Sequence, residues 1–99
     1  MSYESKLKSK ELDDLFEAIL SLENSEECYR FFEDICTINE IKAMAQRLQV
    51  AVLLSEGKTY IDVQELTDAS PATISRINKC LLYGAEGYTT VIERLKERL

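Results

Sequence analysis

Two helix-start signals that lie only 11 residues apart constrain the fold of this chain more than any other feature. Thr59 can cap a first helix, and Asp62 follows three residues later in the position of a capping box. Ser70 and Pro71 then provide a hydroxyl cap and a proline at the first position of a second helix. Because the two starts leave room for one short helix and one short turn, the segment at about 59–82 is predicted to be a helix-turn-helix.

The second helix of this segment has one apolar side and one small, polar and basic side. Ile74, Ile77 and Leu81 recur at helical spacing and are expected to pack on the first helix. The small, polar and basic side fits a DNA major groove about 12 Å wide, where small residues let the backbone approach and hydroxyls or cations reach bases and phosphates. We therefore predict contacts to double-stranded DNA from Ser70, Pro71, Ala72, Thr73, Ser75, Arg76 and Lys79, with Tyr60, Ile61 and Gln64 near the flanking backbone.

Two other interpretations of this segment stay open. It could be an ordinary capped surface helix, and helix-turn-helix folds also serve as protein-binding modules. The turn departs from the usual pattern, because Asp68 stands where a glycine with a positive φ is common. Aspartate tolerates left-handed geometry better than most residues, so the departure weakens the motif without breaking it.

The acidity of the chain is confined to its N-terminal part. The net charge is −6; residues 1–36 contain ten acidic and four basic residues, whereas residues 37–99 contain eight of each. Within 70–82 the two basic residues, Arg76 and Lys79, have no acidic neighbour in the sequence. The predicted recognition helix is therefore locally positive, and its binding to DNA is expected to depend on salt and to gain from the presentation of two such helices at once.

The cysteine and histidine content limits the chemistry that this chain can perform. The three cysteines, Cys28, Cys36 and Cys80, lack CxxC spacing and lie among apolar residues, which predicts buried, reduced thiols. The chain has no histidine, so a histidine-based catalytic triad and a His-ligated metal site are excluded. We expect no cofactor, no metal and no enzymatic activity. Since neither a signal peptide nor a membrane span is evident, a cytoplasmic protein that does not bind membranes is expected.

The spacing of apolar residues and the scarcity of helix breakers favour an all-α domain. The chain contains only one proline and three glycines. Six helices are predicted in a single domain of residues 1–99: one at about 5–21, one from Asn24 or Ser25, one from the capping box Thr37–Glu40 to Gly57, the two of the helix-turn-helix, and a last one capped by Thr90.

The first two helices carry more apolar surface than a lone chain of 99 residues would readily bury. The obvious partner for this surface is a second copy of the chain, because a helix-turn-helix usually reads a palindrome through two-fold symmetry. We therefore predict a homodimer, and a self-contained monomer core is the alternative. The interface is expected to consist of Leu12, Leu15, Phe16, Ile19, Phe31, Phe32 and Ile35.

Most of the chain is similar to a known family. The runs CYRFFEDICTINEIKAMAQRLQVA, LSEGKTY and ASPATISRINKCL and the closing YG, all within Cys28–Gly84, resemble the small Trp repressor-like proteins of the YerC/YecD family. The resemblance implies an all-α, six-helix, intertwined homodimer, in which N-terminal helices of two chains interlock and the helix-turn-helix projects as a DNA reader. In function it implies a sequence-specific transcriptional regulator that binds a palindromic operator.

The same resemblance implies an effector site. Arg47 and Arg76 align with the two arginines that sandwich the corepressor in Trp repressor, and Thr37 with a helix-capping threonine near the ligand's amino group. Ile77 and Cys80 depart from the family's pattern, which has a glycine and a serine there. Because a branched side chain at position 77 would fill the space of an indole ring, tryptophan is not the expected ligand. A smaller amino acid, with histidine as the named candidate, is the expected effector. The alternative for both arginines is a structural role, in which the side chain snorkels along the helix flank or pairs with an acid, and for Arg76 a further alternative is contact with phosphate.

A second function class stands beside DNA binding. A protein-interaction module would use the acidic, apolar N-terminal helices to bind another polypeptide. The absence of acidic residues from the predicted recognition segment favours DNA binding. An enzyme is the third and remote class, because the acidic doublets at 26–27 and 33–34 are interpreted as solvated charge.

Overall fold

The computed structural model describes residues 3–98, and this part of the chain forms six α-helices and no strand. The prediction of an all-α chain with six helices is confirmed. Within the described range, no helix has the length and apolar character that a membrane span requires. The helices are α1 (Lys10–Leu20), α2 (Ser25–Ile35), α3 (Ile38–Ser55), α4 (Tyr60–Thr67), α5 (Pro71–Tyr83) and α6 (Gly87–Glu97).

Local capping bonds decide where the N-terminal helices begin. Ser9 caps α1, since its Oγ accepts a hydrogen bond from the Leu12 amide at 3.1 Å. The predicted start near residue 5 is wrong, because Ser5 closes only a short turn in which its Oγ accepts from the Leu7 amide at 3.0 Å. The second helix starts after its predicted cap, Asn24.

The last helix begins four residues earlier than predicted, at Gly87 instead of at Val91 after a Thr90 cap. The Thr90 amide donates to the Glu86 carbonyl at 3.0 Å, so Thr90 lies inside the first turn of α6. Glu86 takes the cap position with φ 66°, and no described side chain caps the helix. The predicted end of the long helix α3 is confirmed. This helix ends at Ser55, and Gly57 follows with φ 86°.

The internal contacts divide the chain into two compact units, an N-terminal unit up to Ile38 and a C-terminal unit from Asn39 onward. The expectation of a single domain of residues 1–99 stays a prediction. Neither α1 nor α2 contains a buried residue. The seven buried side chains among residues 3–98 all belong to the C-terminal unit: Val50, Ala51, Val63, Ala69, Ile74, Ile77 and Ile92.

The core of the C-terminal unit forms where α3, α4 and α5 meet. Val50, Val63 and Ile74 supply one fully buried side chain from each helix. Burial of each contributes on the order of 1.5–3 kcal/mol through the apolar area removed from water. A hydrogen bond from Gln46 Nε2 to the Thr67 carbonyl, at 3.1 Å, links α3 to the end of α4. The pair α4 and α5 is thus held against α3 by packing and by a polar contact at the turn.

The hydroxyl of Thr67 closes α4, and its removal is expected to weaken the fold. Thr67 Oγ1 donates to the Val63 carbonyl at 2.7 Å and accepts from the Ala69 amide at 3.1 Å. Replacing Thr67 with the nearly isosteric valine should lower the free energy of unfolding by about 1–3 kcal/mol, because the amide of buried Ala69 loses its partner. Urea denaturation measures the loss, with Thr90→Val at an exposed position of α6 as the matched control. An unchanged denaturation midpoint for Thr67→Val would contradict this role.

Candidate nucleic-acid interface

Both helix starts of the predicted helix-turn-helix are present. Thr59 precedes α4, and its Oγ1 accepts from the Asp62 amide at 3.1 Å. Ser70 precedes α5, which opens with Pro71, and the Ser70 Oγ accepts from the Thr73 amide at 3.2 Å. Each cap satisfies an amide that has no partner within its own helix. The two predicted caps are therefore confirmed.

Residues 68–70 form the turn between α4 and α5. Asp68 adopts the left-handed conformation, with φ 61° and ψ 12°, and its amide donates to the Gln64 carbonyl at 2.9 Å. The prediction that Asp68 occupies the position where glycine is common is confirmed. Ala69 follows as a buried residue, and α5 packs against α4 beyond the turn.

The helix α5 has an inner and an outer side, as predicted. Ile74 and Ile77 are buried in the core, whereas Thr73 and Ser75 are half-buried between the two sides. The outer face, by which we mean those predicted DNA-contacting residues at the start and in the middle of α5 that are exposed, consists of Ser70, Pro71, Ala72, Arg76 and Lys79. The residues of α4 that were expected near the flanking DNA backbone are exposed as well: Tyr60, Ile61 and Gln64.

The two cations of the outer face are free to bind an anion. No ion pair or hydrogen bond within residues 3–98 involves the side chain of Arg76 or Lys79. The helix that carries them contains no acidic residue. Contact with a phosphate therefore requires no ion pair to be broken first. The ion pairs found in the described chain lie in the acidic N-terminal unit, between Lys8 and Asp13, Lys10 and Asp14, and Arg30 and Glu26.

A pocket of about 130 Å³ adjoins the outer face of α5. It brings together four of the five residues expected at an effector site, namely Arg47, Arg76, Ile77 and Cys80. The fifth, Thr37, belongs to the N-terminal unit, and its role stays a prediction. The pocket is completed by Thr73 of α5 and Tyr88 of α6.

The sequence reasoning missed two residues as lining of this pocket. Thr73 stands three residues before Arg76, so the spacing of one helix face could have placed it there. Tyr88 gave no such signal, because its position depends on α6 starting at Gly87. The alternative that the pocket arginines pair with acids finds no support, since no ion pair within residues 3–98 involves Arg47 or Arg76.

The prediction of buried thiols is wrong for two of the three cysteines. All three are free, but Cys28 and Cys80 are exposed and only Cys36 is half-buried. Cys80 is accessible because it lines the pocket, and Cys28 because α2 buries none of its residues. Apolar neighbours in the sequence therefore did not indicate burial in this chain.

The residues predicted for a dimer interface present apolar surface that the single chain leaves uncovered. Phe16 is 54% exposed and Ile35 is 50% exposed. The rings of Phe31 and Phe32 meet edge to face, with their centroids 5.5 Å apart. Both of these rings are half-buried. The remaining members of the predicted interface are half-buried as well: Leu12, Leu15 and Ile19.

Known proteins similar to this chain share its helical architecture. Residues 10–96 match the family described as Trp repressor protein. The uncharacterized protein YerC of Bacillus subtilis (strain 168) is 58% identical over 92 residues, which cover 93% of this chain and 88% of YerC. The crystal structure of a TrpR-like protein from Eubacterium eligens ATCC 27750 has a TM-score of 0.89 and 55% identity, covering 92% of this chain and 94% of that one. A proposed Trp repressor from Staphylococcus aureus has a TM-score of 0.88 and 49% identity, over 92% and 91% of the two chains.

Proposed function

Because the chain belongs to the Trp repressor family, we propose that it is a sequence-specific, DNA-binding transcriptional regulator. The observation that carries this proposal is the outer face of α5, where exposed small residues accompany two cations, Arg76 and Lys79, that have no acidic partner within residues 3–98. Small residues let the helix backbone approach base edges, and the cations reach phosphates. The proposed function is binding, and no residue is assigned a catalytic role.

We propose further that the regulator acts as a homodimer on a palindromic operator. The support is the apolar surface of α1 and α2, on which Phe16 and Ile35 are half exposed and no residue is buried. A second copy would cover this surface and present two α5 helices to successive major grooves. The net charge of −6 per chain opposes the approach to DNA, so the affinity of one reading helix gains from a second helix that binds at the same time.

A protein-interaction module is the second candidate function, and the same uncovered surface favours it. In that case α1 and α2 would bind another polypeptide, and the outer face of α5 would contribute nothing to binding. The two functions therefore predict different sensitive helices. Substitutions on the outer face of α5 should abolish DNA binding, whereas substitutions on α1 or α2 should abolish the binding of a polypeptide.

Selection of genomic DNA fragments by the purified protein, followed by filter binding over a salt series, tests the proposed function. We expect the enriched fragments to share a palindrome and the logarithm of the association constant to fall linearly with the logarithm of the salt concentration. If no sequence is enriched over random DNA, and retention on the filter does not respond to salt, the DNA-binding function is excluded and the protein-interaction module is favoured.

Removal of the Lys79 charge should weaken binding to all DNA sequences alike. Lys79 is exposed on the outer face, so the proposed contact is with phosphate. For Lys79→Ala, we expect the salt slope to become smaller by about 0.9, the value for one lost phosphate contact. Lys96→Ala, which removes the same charge from α6, is the matched control and should keep the slope of the unaltered protein. Equal slopes for Lys79→Ala and the unaltered protein would argue against a phosphate contact there.

We propose that a small effector other than tryptophan controls the regulator through the pocket beside the outer face. Arg47 lies on α3 and Arg76 on α5, so a ligand between them would contact both the core helix and the reading helix. Such a ligand would favour one DNA-binding geometry over another. Ile77, which is only 3% exposed, lines the pocket and opposes an indole ring there. The family resemblance makes a small amino acid, histidine among them, the first ligand to be compared.

A further inference from the structure

The side chains that line this pocket carry positive charge without any negative charge. Arg47 and Arg76 both line it, and none of the lining residues is acidic. We propose that the pocket binds a small dianion, either a dicarboxylate or a phosphate monoester. The proposal rests on the effector control proposed above and names the chemical class of the ligand.

The charge of the pocket favours the binding of a dianion over that of a zwitterionic amino acid. Neither guanidinium has an ion-pair partner within residues 3–98, so the two like charges line one small space without compensation. A dianion gives each guanidinium an anionic partner, and arginine binds carboxylate and phosphate through paired hydrogen bonds. A zwitterion compensates one guanidinium, but the pocket offers its ammonium group no carboxylate and places a second cation nearby. The lining therefore favours two negative charges over one of each sign.

The neutral side chains of the pocket can donate hydrogen bonds to an anion. Thr73 Oγ1 accepts a hydrogen bond from Ser70 Oγ at 3.0 Å, which leaves the hydroxyl proton of Thr73 free to be donated. Tyr88 has a phenolic hydroxyl and Cys80 a weakly donating thiol. Donors of this kind stabilise carboxylate or phosphate oxygens but give no strong acceptor to an ammonium group.

The pocket between the two arginines has room for a small ligand. Its 130 Å³ is below the roughly 300 Å³ at which sites for drug-sized ligands begin. A larger and mostly apolar pocket of about 490 Å³ shares Cys80 and Tyr88 with it, so volume alone does not set the ligand class. A four-carbon dicarboxylate or a compact phosphate ester suits the part lined by Arg47 and Arg76, and the charge of that lining selects this class.

Titration calorimetry of the full-length protein compares the ligand classes directly. The dianionic probes are succinate and inorganic phosphate, at about pH 8, where phosphate is mostly the dianion. Acetate, histidine and tryptophan are the comparison ligands, and sodium chloride keeps the ionic strength constant. We expect both dianions to bind more tightly than all three comparison ligands. Tighter binding of phosphate than of succinate would identify a phosphate ester as the natural ligand, and the reverse order a dicarboxylate.

Substitution of the pocket arginines provides the second arm of the test. Arg47→Ala and Arg76→Ala should each weaken binding of the dianion by about tenfold or more, because each removes a charge-assisted contact. Arg94→Ala, which removes the same charge from an exposed position of α6 outside the pocket, should leave the affinity unchanged. Circular dichroism confirms that each variant is folded.

Two results would overturn the proposal. One is tighter binding of histidine or tryptophan than of either dianion; the other is a loss of dianion affinity in Arg94→Ala as large as that in Arg47→Ala. The comparison of ligands on the unaltered protein needs no variant, so it decides the matter even if a pocket variant does not fold. Operator binding is measured separately, both without ligand and with each dianion, and its absence under all of these conditions would refute the proposed DNA-binding function rather than the ligand class.

Discussion

Replacement of Phe16 by aspartate is expected to convert the protein from a dimer into a monomer at micromolar concentration. Phe16 lies on α1, where no residue is buried, and it is 54% exposed in the single chain. In the proposed homodimer a second copy covers it, so aspartate would place an unpaired carboxylate in a surface removed from water. A cost of about 3 kcal/mol or more per interface corresponds to a loss of more than about 100-fold in dimer affinity. Sedimentation equilibrium measures the change.

Phe16→Leu is the matched control for this substitution, since it keeps an apolar side chain at the same position and should keep the dimer. Circular dichroism distinguishes dissociation from loss of the fold. A monomeric unaltered protein at micromolar concentration would contradict the homodimer and, with it, the presentation of two reading helices. A dimeric Phe16→Asp protein would show that α1 does not supply the interface.

Replacement of Ala72 by glutamate is expected to abolish operator binding while leaving the fold intact. Ala72 is exposed in the first turn of α5, on the outer face that we propose enters the major groove. A glutamate there would collide with the groove and repel the phosphates on both sides of it. The same carboxylate near a helix N-terminus stabilises the helix by roughly 0.3–1 kcal/mol. We therefore expect filter binding to lose the operator complex and urea denaturation to show no loss of stability.

The control for this variant is Thr89→Glu, which adds the same charge to the first turn of α6 at an exposed position. Both variants change the net charge of the chain from −6 by the same amount. Only Ala72→Glu should lose the operator. Retention of operator affinity by Ala72→Glu would mean that the outer face of α5 is not the surface that reads DNA.

The helix-turn-helix could be predicted from the sequence because its determinants are local. The caps of α4 and α5 are hydrogen bonds between residues three positions apart, from Asp62 to Thr59 and from Thr73 to Ser70. The left-handed turn residue, Asp68, is a choice among the few residue types that tolerate a positive φ. Interactions of such short range depend on a few consecutive residues, so a short stretch of sequence is enough to predict them.

Apart from the start of α1, which the local cap of Ser9 sets, the features that the sequence did not predict depend on contacts between distant residues. The start of α6 at Gly87 has no side-chain cap from the described residues, and the helix is instead held by Ile92, which is buried in the core, and by Tyr88, which packs against it. The exposure of Cys28 and Cys80 likewise depends on what covers α2 and on the opening of a pocket. Helical spacing shows which residues share a face, but it does not show whether another element covers that face.

The pocket was predicted by resemblance and not by pattern. Arg47 and Arg76 are 29 positions apart, and no spacing rule joins residues on α3 and α5. The family resemblance predicts that both arginines belong to one effector site, and in the structure both line the same pocket. The resemblance did not give Tyr88 as a lining residue, because Tyr88 enters the pocket only through the packing of α6.

The buried side chains of the described residues all lie in the part of the chain from Asn39 onward. The helices therefore differ in how strongly they resist local opening. Helices that share the fully buried Val50, Val63 and Ile74 can open only by exposing one another's side chains, so their opening approaches the cost of unfolding the whole unit. The helices α1 and α2 contain only half-buried and exposed residues, so a single chain can open them at a lower cost. The rigid part thus carries the residues proposed to read DNA, while the order of α1 and α2 is left to whatever partner covers them.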